Sequence, residues 1–224
     1  MSKIHPAENK CRPCLALKAV QEDHQGPTVL TVWKRSSMSF QGTDGFTVFD
    51  PHGRLVFRVD NYSRKNGYVA GNGLVLMDGV GNALLTLKPK AFSLQSQWNA
   101  FKEEGCGKNP KMTKVFSMRN PSVLHHCGKD VAEIFMGTQG HRHQTPDFRI
   151  QGSFKARNCK ILTPDGNLAA KIHRKRVNTT ILLSDDVFSL VVEPGFEPQL
   201  IMAFVIILDR ISSAPYTPVL CSLG

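Results

Sequence analysis

Short hydrophobic runs, most of them alternating with polar residues, follow one another along the chain from about residue 28 to residue 192. Turn-forming residues separate these runs at intervals of roughly 8–12 residues, a spacing typical of β-meanders, sandwiches and barrels. The pattern therefore indicates a mainly β protein. The predicted strands are Thr28–Lys34, Ser39–Gln41, Thr47–Phe49, Arg54–Val59, Tyr68–Ala70, Leu74–Met77, Ala83–Leu87, Lys114–Met118, Val131–Met136, Phe148–Gly152, Lys160–Leu162, Leu168–Arg174, Thr180–Leu183 and Val187–Val192.

The stretch between residues 91 and 115 departs from this alternation. Because the strand pattern is lost there, we predict one short helical turn over Trp98–Glu103. Glu103–Met112 is rich in glycine and charge, which is typical of a loop.

Near the end of the chain, residues 200–208 read LIMAFVIIL, without a polar residue among them. Pro194, Gly195 and Pro198 break the preceding strand, so the pattern predicts a helix over about residues 198–212. At helical rise the apolar run covers only about 14 Å, against roughly 30 Å of bilayer hydrocarbon, so no transmembrane span is expected. We expect the chain's own strands to enclose this helix, with Asp209, Arg210 and Ser212 ending its buried part. The predicted core residues of the helix are Leu200, Ile201, Phe204, Val205, Ile207 and Leu208.

Turn chemistry repeats along the chain. Residues 48–59 align without gaps on residues 161–172, matching Pro51 with Pro164 and Gly53 with Gly166. Proline and glycine at these positions favour a tight hairpin, and looser copies occur at residues 77–85 and 124–132. The repeats suggest two similar halves. A closed antiparallel barrel of about twelve strands would remove exposed sheet edges and leave room for a central helix.

The net charge and the first ten residues indicate which partners and which compartment to expect. The 224 residues include 28 Lys and Arg against 18 Asp and Glu, a formal charge of +10 that favours anionic partners. Residues 1–10 are polar and lack the apolar core of a signal peptide, so we expect reduced thiols and a cytoplasmic protein, with peripheral-membrane and nuclear placements left open. We expect a partly ordered extension over residues 1–27, a barrel domain over 28–212 and a flexible tail over 213–224.

Several stretches together resemble the plant LURP-one-related proteins. The final stretch is the most specific, because it joins a strand, a Pro/Gly break and a wholly apolar helix. The resemblance implies a barrel wrapped around its C-terminal helix, similar to the tubby C-terminal domain and the phospholipid scramblases, and a suggested kinship with membrane-tethered transcription factors. The matching stretches are residues 30–40, 46–62, 75–90, 147–161, 168–175 and 188–211.

Basic residues form three clusters that could bind an anion. Lys171, His173, Arg174, Lys175 and Arg176 form the densest one, and strand alternation places Lys171, His173 and Lys175 on one face. A second cluster joins Trp33 to Lys34 and Arg35, and a third comprises Arg54, Arg58, Arg64 and Lys65. Because tubby-like domains bind phosphorylated inositol lipids through basic side chains on adjacent strands, the resemblance makes the first two clusters candidate phosphoinositide sites. A merely solvated basic surface is the alternative.

Other chemistry is weakly indicated. Cys11 and Cys14 have the spacing of half a zinc site without a second half, and His125, His126, His141 and His143 lie at predicted turns. No nucleophile elbow, P-loop or zinc-protease motif is present in the sequence, so neither an enzymatic activity nor a metal or cofactor is expected.

Several functions remain possible at this point. The leading hypothesis is a monomeric, non-enzymatic protein that binds anionic phosphoinositide head groups through a basic barrel face. The main alternative is a scaffold or regulator in plant defence signalling that recognises another protein without binding lipid. A scramblase-like lipid mover and a small-molecule carrier are weaker alternatives, and nucleic-acid binding is disfavoured because only Trp33 pairs an aromatic ring with neighbouring bases.

Overall fold

The computed structural model describes residues 26–35, 45–60, 73–91, 96–105, 111–121, 130–137, 145–176 and 183–213. In these ranges twelve β-strands are followed by one α-helix. The strands are β1 (Thr28–Arg35), β2 (Gly45–Phe49), β3 (Leu55–Asp60), β4 (Leu74–Asp78), β5 (Ala83–Pro89), β6 (Gln97–Glu104), β7 (Lys111–Arg119), β8 (Asp130–Met136), β9 (Phe148–Ser153), β10 (Asn158–Leu162), β11 (Leu168–Arg174) and β12 (Val187–Val192), and the helix is α1 (Pro198–Ser213).

The strands form one closed antiparallel barrel in which each strand pairs with its neighbours in sequence. The last strand returns to the first, since Leu30 of β1 lies opposite Leu190 of β12. Closure leaves no strand edge unpaired, which removes the tendency of open edges to aggregate. The predicted fold, a twelve-stranded barrel around a C-terminal helix, is confirmed.

Successive side chains of a strand point to opposite sides of the sheet, which gives the wall an inner and an outer side. In β1, for example, Leu30 and Val32 are fully buried, while Val29 and Trp33 are exposed. All twelve strands contribute at least one side chain to a single apolar core. Helix α1 fills the centre of this core.

Helix α1 occupies the barrel along its axis. Residues 201–209 are all buried, so the helix has no solvent-facing side over more than two turns. Phe204 shows the enclosure directly, because its ring packs 4.8 Å from Phe116 of β7 and 5.4 Å from Phe148 of β9. All six predicted core residues lie in α1; Leu200 is partly buried and the other five are buried.

The burial of α1 runs further than the sequence pattern predicted. Asp209 was expected to end the buried part, but it is 4% exposed, and Ile211 beyond it is also buried. Lys34 explains the difference, because its ammonium group lies 2.8 Å from the Asp209 carboxylate. A paired carboxylate can remain inside where an isolated one would not.

The repeated hairpins share one turn geometry. Gly53 and Gly166 both adopt positive φ, at 78° and 82°, and each donates its N–H to the carbonyl three residues earlier. Each hairpin also carries a register shift just before its turn, at Val48/Phe49 and at Ile161/Leu162. The two hairpins lie eight strands apart, whereas two equal halves of a twelve-stranded barrel would place them six apart.

The third predicted hairpin has related geometry. Asp78 accepts hydrogen bonds from three successive backbone N–H groups ahead of the returning strand β5. Most of the fourth copy, at residues 124–132, lies outside the described residues.

One predicted element is wrong. Trp98–Glu103 forms most of strand β6, not a helical turn. The expected loop over Glu103–Met112 is also shorter than predicted, because β6 ends only at Glu104 and β7 begins already at Lys111. Pairing with β5 on one side and β7 on the other decides the conformation, because these ladder hydrogen bonds outweigh the local helix propensity. Of the other predicted strands, Ser39–Gln41, Tyr68–Ala70 and residues 180–182 lie outside the described residues, and Leu183 is not in a strand.

Candidate functional site

Charge is distributed unequally around the barrel. Six consecutive strands, β9 to β12 followed by β1 and β2, contain no acidic residue, whereas the six strands from β3 to β8 contain as many acidic as basic residues. One half of the wall is therefore basic and the other is neutral. The basic residues of the first half are Lys34, Arg35, Arg149, Lys160, Lys171 and Arg174, and the second half carries Arg58, Lys88, Lys102, Lys111, Lys114 and Arg119 with Asp60, Asp78, Glu103, Glu104, Asp130 and Glu133.

Two lysines face each other at the centre of the basic half. Lys160 of β10 and Lys171 of β11 are directly paired in register, and both are exposed on the outer side of the wall. Like charges directly opposite each other across two strands destabilise a sheet. Within the described part of the chain, neither ammonium group has a hydrogen bond or an ion pair that would offset this repulsion. A bound anion would offset it.

His173 extends this pair along β11. Its side chain is on the outer side, because the preceding residue, Ile172, faces inward. In register, His173 lies opposite Asn158 of β10 and Ser189 of β12. Burial lowers the pKa of His173, and the charges of Lys171 and Lys175 lower it further. Lys160, Lys171, His173 and Lys175 are called the basic face below.

The neighbours of the basic face are uncharged or paired. Gln151 lies beside Lys160 on β9 and donates a hydrogen bond to Asp130 of β8 at 2.8 Å, so a neutral strand separates Lys160 from the first carboxylate on that side. On the other side, Lys171 adjoins Val191 of β12. The basic face therefore groups three lysines and one histidine, without a carboxylate among them.

Two predicted site residues at the end of β11 are placed differently. Arg174 donates to the Asp185 carboxylate at 2.6 Å, in an ion pair whose two side chains remain largely solvated. Arg176 is exposed beyond Lys175. Both residues border the basic face, and the charge of Arg174 is partly compensated.

The predicted cluster around Trp33 is split by the barrel wall. Trp33 faces outward and is 48% exposed, while Lys34 turns inward to Asp209. Lys34 therefore holds the buried end of α1 and is not available to a ligand on the outer side. Arg35 ends β1, and its side chain lies outside the described part of the structure.

Arg157 closes the same end of the barrel. Its guanidinium lies between the rings of Phe154 and Phe188, at 4.3 and 4.5 Å, and donates to the backbone carbonyl of Asp185. Burial lowers the pKa of Arg157, and the nearby charges of Asp209 and Asp185 oppose that shift. Arg157 is therefore a buried cation held by two aromatic rings and a backbone carbonyl, and its role at this end of the barrel is structural.

The third predicted cluster is dispersed. Arg54 pairs with Asp50 at 2.6 Å, and Arg58 lies on the outer side of β3 beside Met77. Arg64 and Lys65 lie outside the described residues. These bases do not form one surface in the described structure.

A cavity of about 350 Å³ lies at the opposite end of the barrel, where α1 begins. Its lining is mostly apolar, and its charged groups are Asp50, Arg54 and Glu197. Because Arg54 is already paired with Asp50, the cavity offers an anion no free cation.

The described residues offer little other chemistry. Burial raises the pKa of the Cys159 thiol to about 11, so it is protonated and unreactive at neutral pH. No group of three or more metal-ligating side chains occurs among the described residues, and the Cys11/Cys14 pair and the four loop histidines lie outside them. In the same ranges, no helix has both the length and the apolar character needed to cross a bilayer.

Lys160 was absent from the predicted site, although a sequence signal for it exists. In the hairpin that turns at Pro164–Gly166, Lys160 and Lys171 stand at matching positions on the two strands. Pairing the two arms of the repeat residue by residue would have brought the two lysines together.

Comparison with known proteins gives a consistent result. A model of the LURP-one-related family matches residues 28–209. Protein LURP-one-related 5 of Arabidopsis thaliana is 38% identical over 185 residues, which cover 81% of this chain and 82% of that protein. Protein LURP-one-related 8 of the same plant is 34% identical over 214 residues, covering 94% of this chain and 97% of that protein.

Among solved structures, an X-ray structure of an Arabidopsis thaliana protein matches with a TM-score of 0.55. The match covers 83% of this chain and 91% of that chain, at 21% identity. At this identity the likeness concerns the fold alone.

Proposed function

This chain belongs to the LURP-one-related family, and on that premise we propose that it is a non-enzymatic protein that binds the phosphorylated head group of an anionic lipid, a phosphoinositide above all, through its basic face. The family name specifies no ligand, so the proposal depends on the charges of the wall. We also propose the finer kinship that the sequence suggested, with tubby-like and scramblase-like proteins.

The observation that carries the proposal is the juxtaposition of Lys160 and Lys171, neither of which has an ion-pair partner among the described residues. Lys160 and Lys171 are directly opposite on adjacent strands, which places their Cβ atoms roughly 5 Å apart. No carboxylate on β10 or β11 lies between their ammonium groups. A phosphate with two negative charges can accept hydrogen bonds from both and remove the repulsion. His173 lies on the same side of β11, and Lys175 follows the strand, close enough for its charge to act on the imidazole.

The expected affinity is modest and depends on salt. Each well-placed lysine near an anionic membrane contributes about 1 kcal/mol, and the attraction decays over a Debye length of about 8 Å at physiological salt. Three lysines therefore give a reversible association. Hydrolysis of the lipid phosphates would release the protein.

Charge reversal on the basic face tests this proposal. Lys160→Glu combined with Lys171→Glu should reduce flotation with phosphoinositide-containing vesicles by at least tenfold, because repulsion replaces attraction at the centre of the site. The matched control is Lys90→Glu with Lys102→Glu. This pair changes the net charge equally, on two exposed lysines near or within β5 and β6 in the neutral half.

The proposal requires that the control variant floats like the wild-type protein. Equal loss in both variants would show attraction by net charge alone, without a site. Failure of the wild-type protein to float with any anionic vesicle at low salt would overturn lipid binding. The alternative of a protein-recognition scaffold would then take its place.

A further inference from the structure

The outer wall beside the basic face carries two partly exposed apolar pairs on β1 and β12, with the polar pair Thr31 and Ser189 between them. Val29 and Trp33 of β1 are 38% and 48% exposed, and Val187 and Val191 of β12 are partly exposed next to them. These four residues are called the apolar stripe below. Exposed apolar side chains that are grouped and rimmed by polar residues often mark a surface that binds a membrane or a partner.

Strand register fixes how the stripe and the basic face are joined. Lys171 lies opposite Val191, which lies opposite Val29, so a cation and two valines form one row across β11, β12 and β1. Trp33 lies opposite Val187 in a parallel row near the end of β11. With strands about 4.8 Å apart, β11 and β1 are separated by roughly 10 Å, which makes the two surfaces continuous.

The four strands that carry the basic face and the apolar stripe have only positive charges. Strands β10, β11, β12 and β1 contain no acidic residue. Carboxylates border this surface at both ends of β12. Asp185 and Asp186 lie in the turn before it, where Asp185 pairs with Arg174, and Glu193 follows it, where its N–H donates to the carbonyl of Ala169. A basic patch that continues into an apolar, aromatic strip matches the interface of an anionic bilayer.

We propose that the basic face and the apolar stripe form one bilayer-docking surface, in which the side chain of Trp33 enters the head-group region of a membrane while the lysines contact its phosphates. This inference rests on the proposed function and adds to it. A free inositol phosphate would use the lysines alone, whereas a membrane would use both surfaces. We assign lipid as the occupant of the stripe, because the strands that carry the stripe and the basic face contain basic residues and no acidic one.

Trp33 can report on its own insertion, because the chain contains two tryptophans. The other one, Trp98, packs against the barrel core from β6. A Trp98→Phe variant leaves Trp33 as the single tryptophan, and the matched Trp33→Phe variant leaves Trp98. Vesicles containing a phosphoinositide and a lipid whose quencher sits high on its acyl chain are added to each variant, and sedimentation measures binding in the same samples.

We expect Trp33 emission to shift to shorter wavelength and to be quenched by these vesicles, while Trp98 emission does not respond. Soluble inositol phosphate should bind without changing the emission in this way. Sedimentation with the vesicles but unchanged Trp33 emission would overturn the docking proposal and leave head-group binding intact. Absence of sedimentation would overturn the proposed function, and the docking surface with it.

A second variant tests the energetic role of the ring. Trp33→Ala should weaken vesicle binding roughly tenfold and leave inositol phosphate binding unchanged, since only the membrane contacts the ring. Met112→Ala serves as the control, because Met112 is an exposed apolar residue on β7 in the neutral half. Equal affinity of Trp33→Ala and wild type for vesicles would contradict the proposal, provided that both unfold at the same urea concentration.

Discussion

Trp33 and Lys34 are adjacent in sequence but serve opposite sides of the barrel wall. Trp33 is exposed outside, and Lys34 reaches inside to Asp209. The alternation of a strand dictates that neighbouring side chains diverge, but it does not say which of the two faces inward. Burial of Leu30 and Val32 settles that question, because Lys34 shares their side.

Removing one member of the Lys34–Asp209 pair should be costly. Lys34→Met leaves the Asp209 carboxylate buried without its nearest cation, and we expect the free energy of unfolding to fall by about 3 kcal/mol in urea titrations. The double variant Lys34→Met with Asp209→Leu should recover part of that loss, because no unpaired charge remains.

Arg174→Met is the control for this pair, since the Arg174–Asp185 ion pair is exposed and should contribute less than about 1 kcal/mol. A Lys34→Met protein as stable as Arg174→Met would show that Asp209 does not depend on Lys34.

The imidazole of His173 should make stability depend on pH. Burial, Lys171 and Lys175 lower its pKa in the folded protein below the ordinary value of 6.5. Below about pH 6.5 the unfolded chain therefore takes up a proton that the folded protein resists, and stability decreases as the pH falls toward the folded pKa. Across the two neighbouring strands His173 faces Asn158 of β10 and Ser189 of β12, and Lys160 lies two residues further along β10, so no carboxylate on these strands opposes the effect.

Urea unfolding at pH 7.5 and 5.5 measures this contribution. The loss of stability between the two pH values should be smaller in His173→Gln than in wild type. A larger loss in the variant would contradict the assigned direction of the pKa shift.

At the scale of elements, α1 was the best predicted part of the molecule. A run of nine apolar residues after a Pro/Gly break allows few structures other than an enclosed helix. Strand β6 was the worst, because its mixed polar sequence carries no clear period and two neighbouring strands determine its conformation. The long, uniformly apolar run made α1 predictable, whereas the short, mixed sequence of β6 did not reveal its conformation.

The packing of α1 predicts a large effect at Phe204. Phe204→Ala removes an edge-to-face contact with Phe116 and a second ring contact with Phe148 in a fully buried site. We expect a loss of about 3–5 kcal/mol in the free energy of unfolding, because the enclosing strands cannot collapse into the cavity. Val80→Ala, at a site 90% exposed, should change stability by less than about 0.5 kcal/mol. Similar unfolding midpoints for the two variants would contradict the enclosed position of Phe204.

At the scale of the whole molecule, the barrel concentrates the excess positive charge of its strands on one half of its wall. The chain carries +10 in total, but among the described strands the basic excess lies in six consecutive ones, and the remaining six are balanced. Such a distribution orients the molecule in the field of a negatively charged surface before any contact is made. The apolar stripe lies in the same half, so this orientation would present the stripe to the membrane as well.

The sequence alone determined that the chain is mainly β, that its hairpins turn at Gly53 and Gly166, and that its apolar C-terminal segment needs an enclosure. These features follow from local steric rules and from the period of hydrophobic residues, which a linear pattern records. It also placed Lys171 and His173 on one face of their strand. The tertiary structure decided which cations meet: closure and register brought Lys160 opposite Lys171, turned Lys34 inward to Asp209 and set Trp33 beside the basic face. Those juxtapositions depend on contacts between residues far apart in the chain, and hydrophobic periodicity carries no information about them.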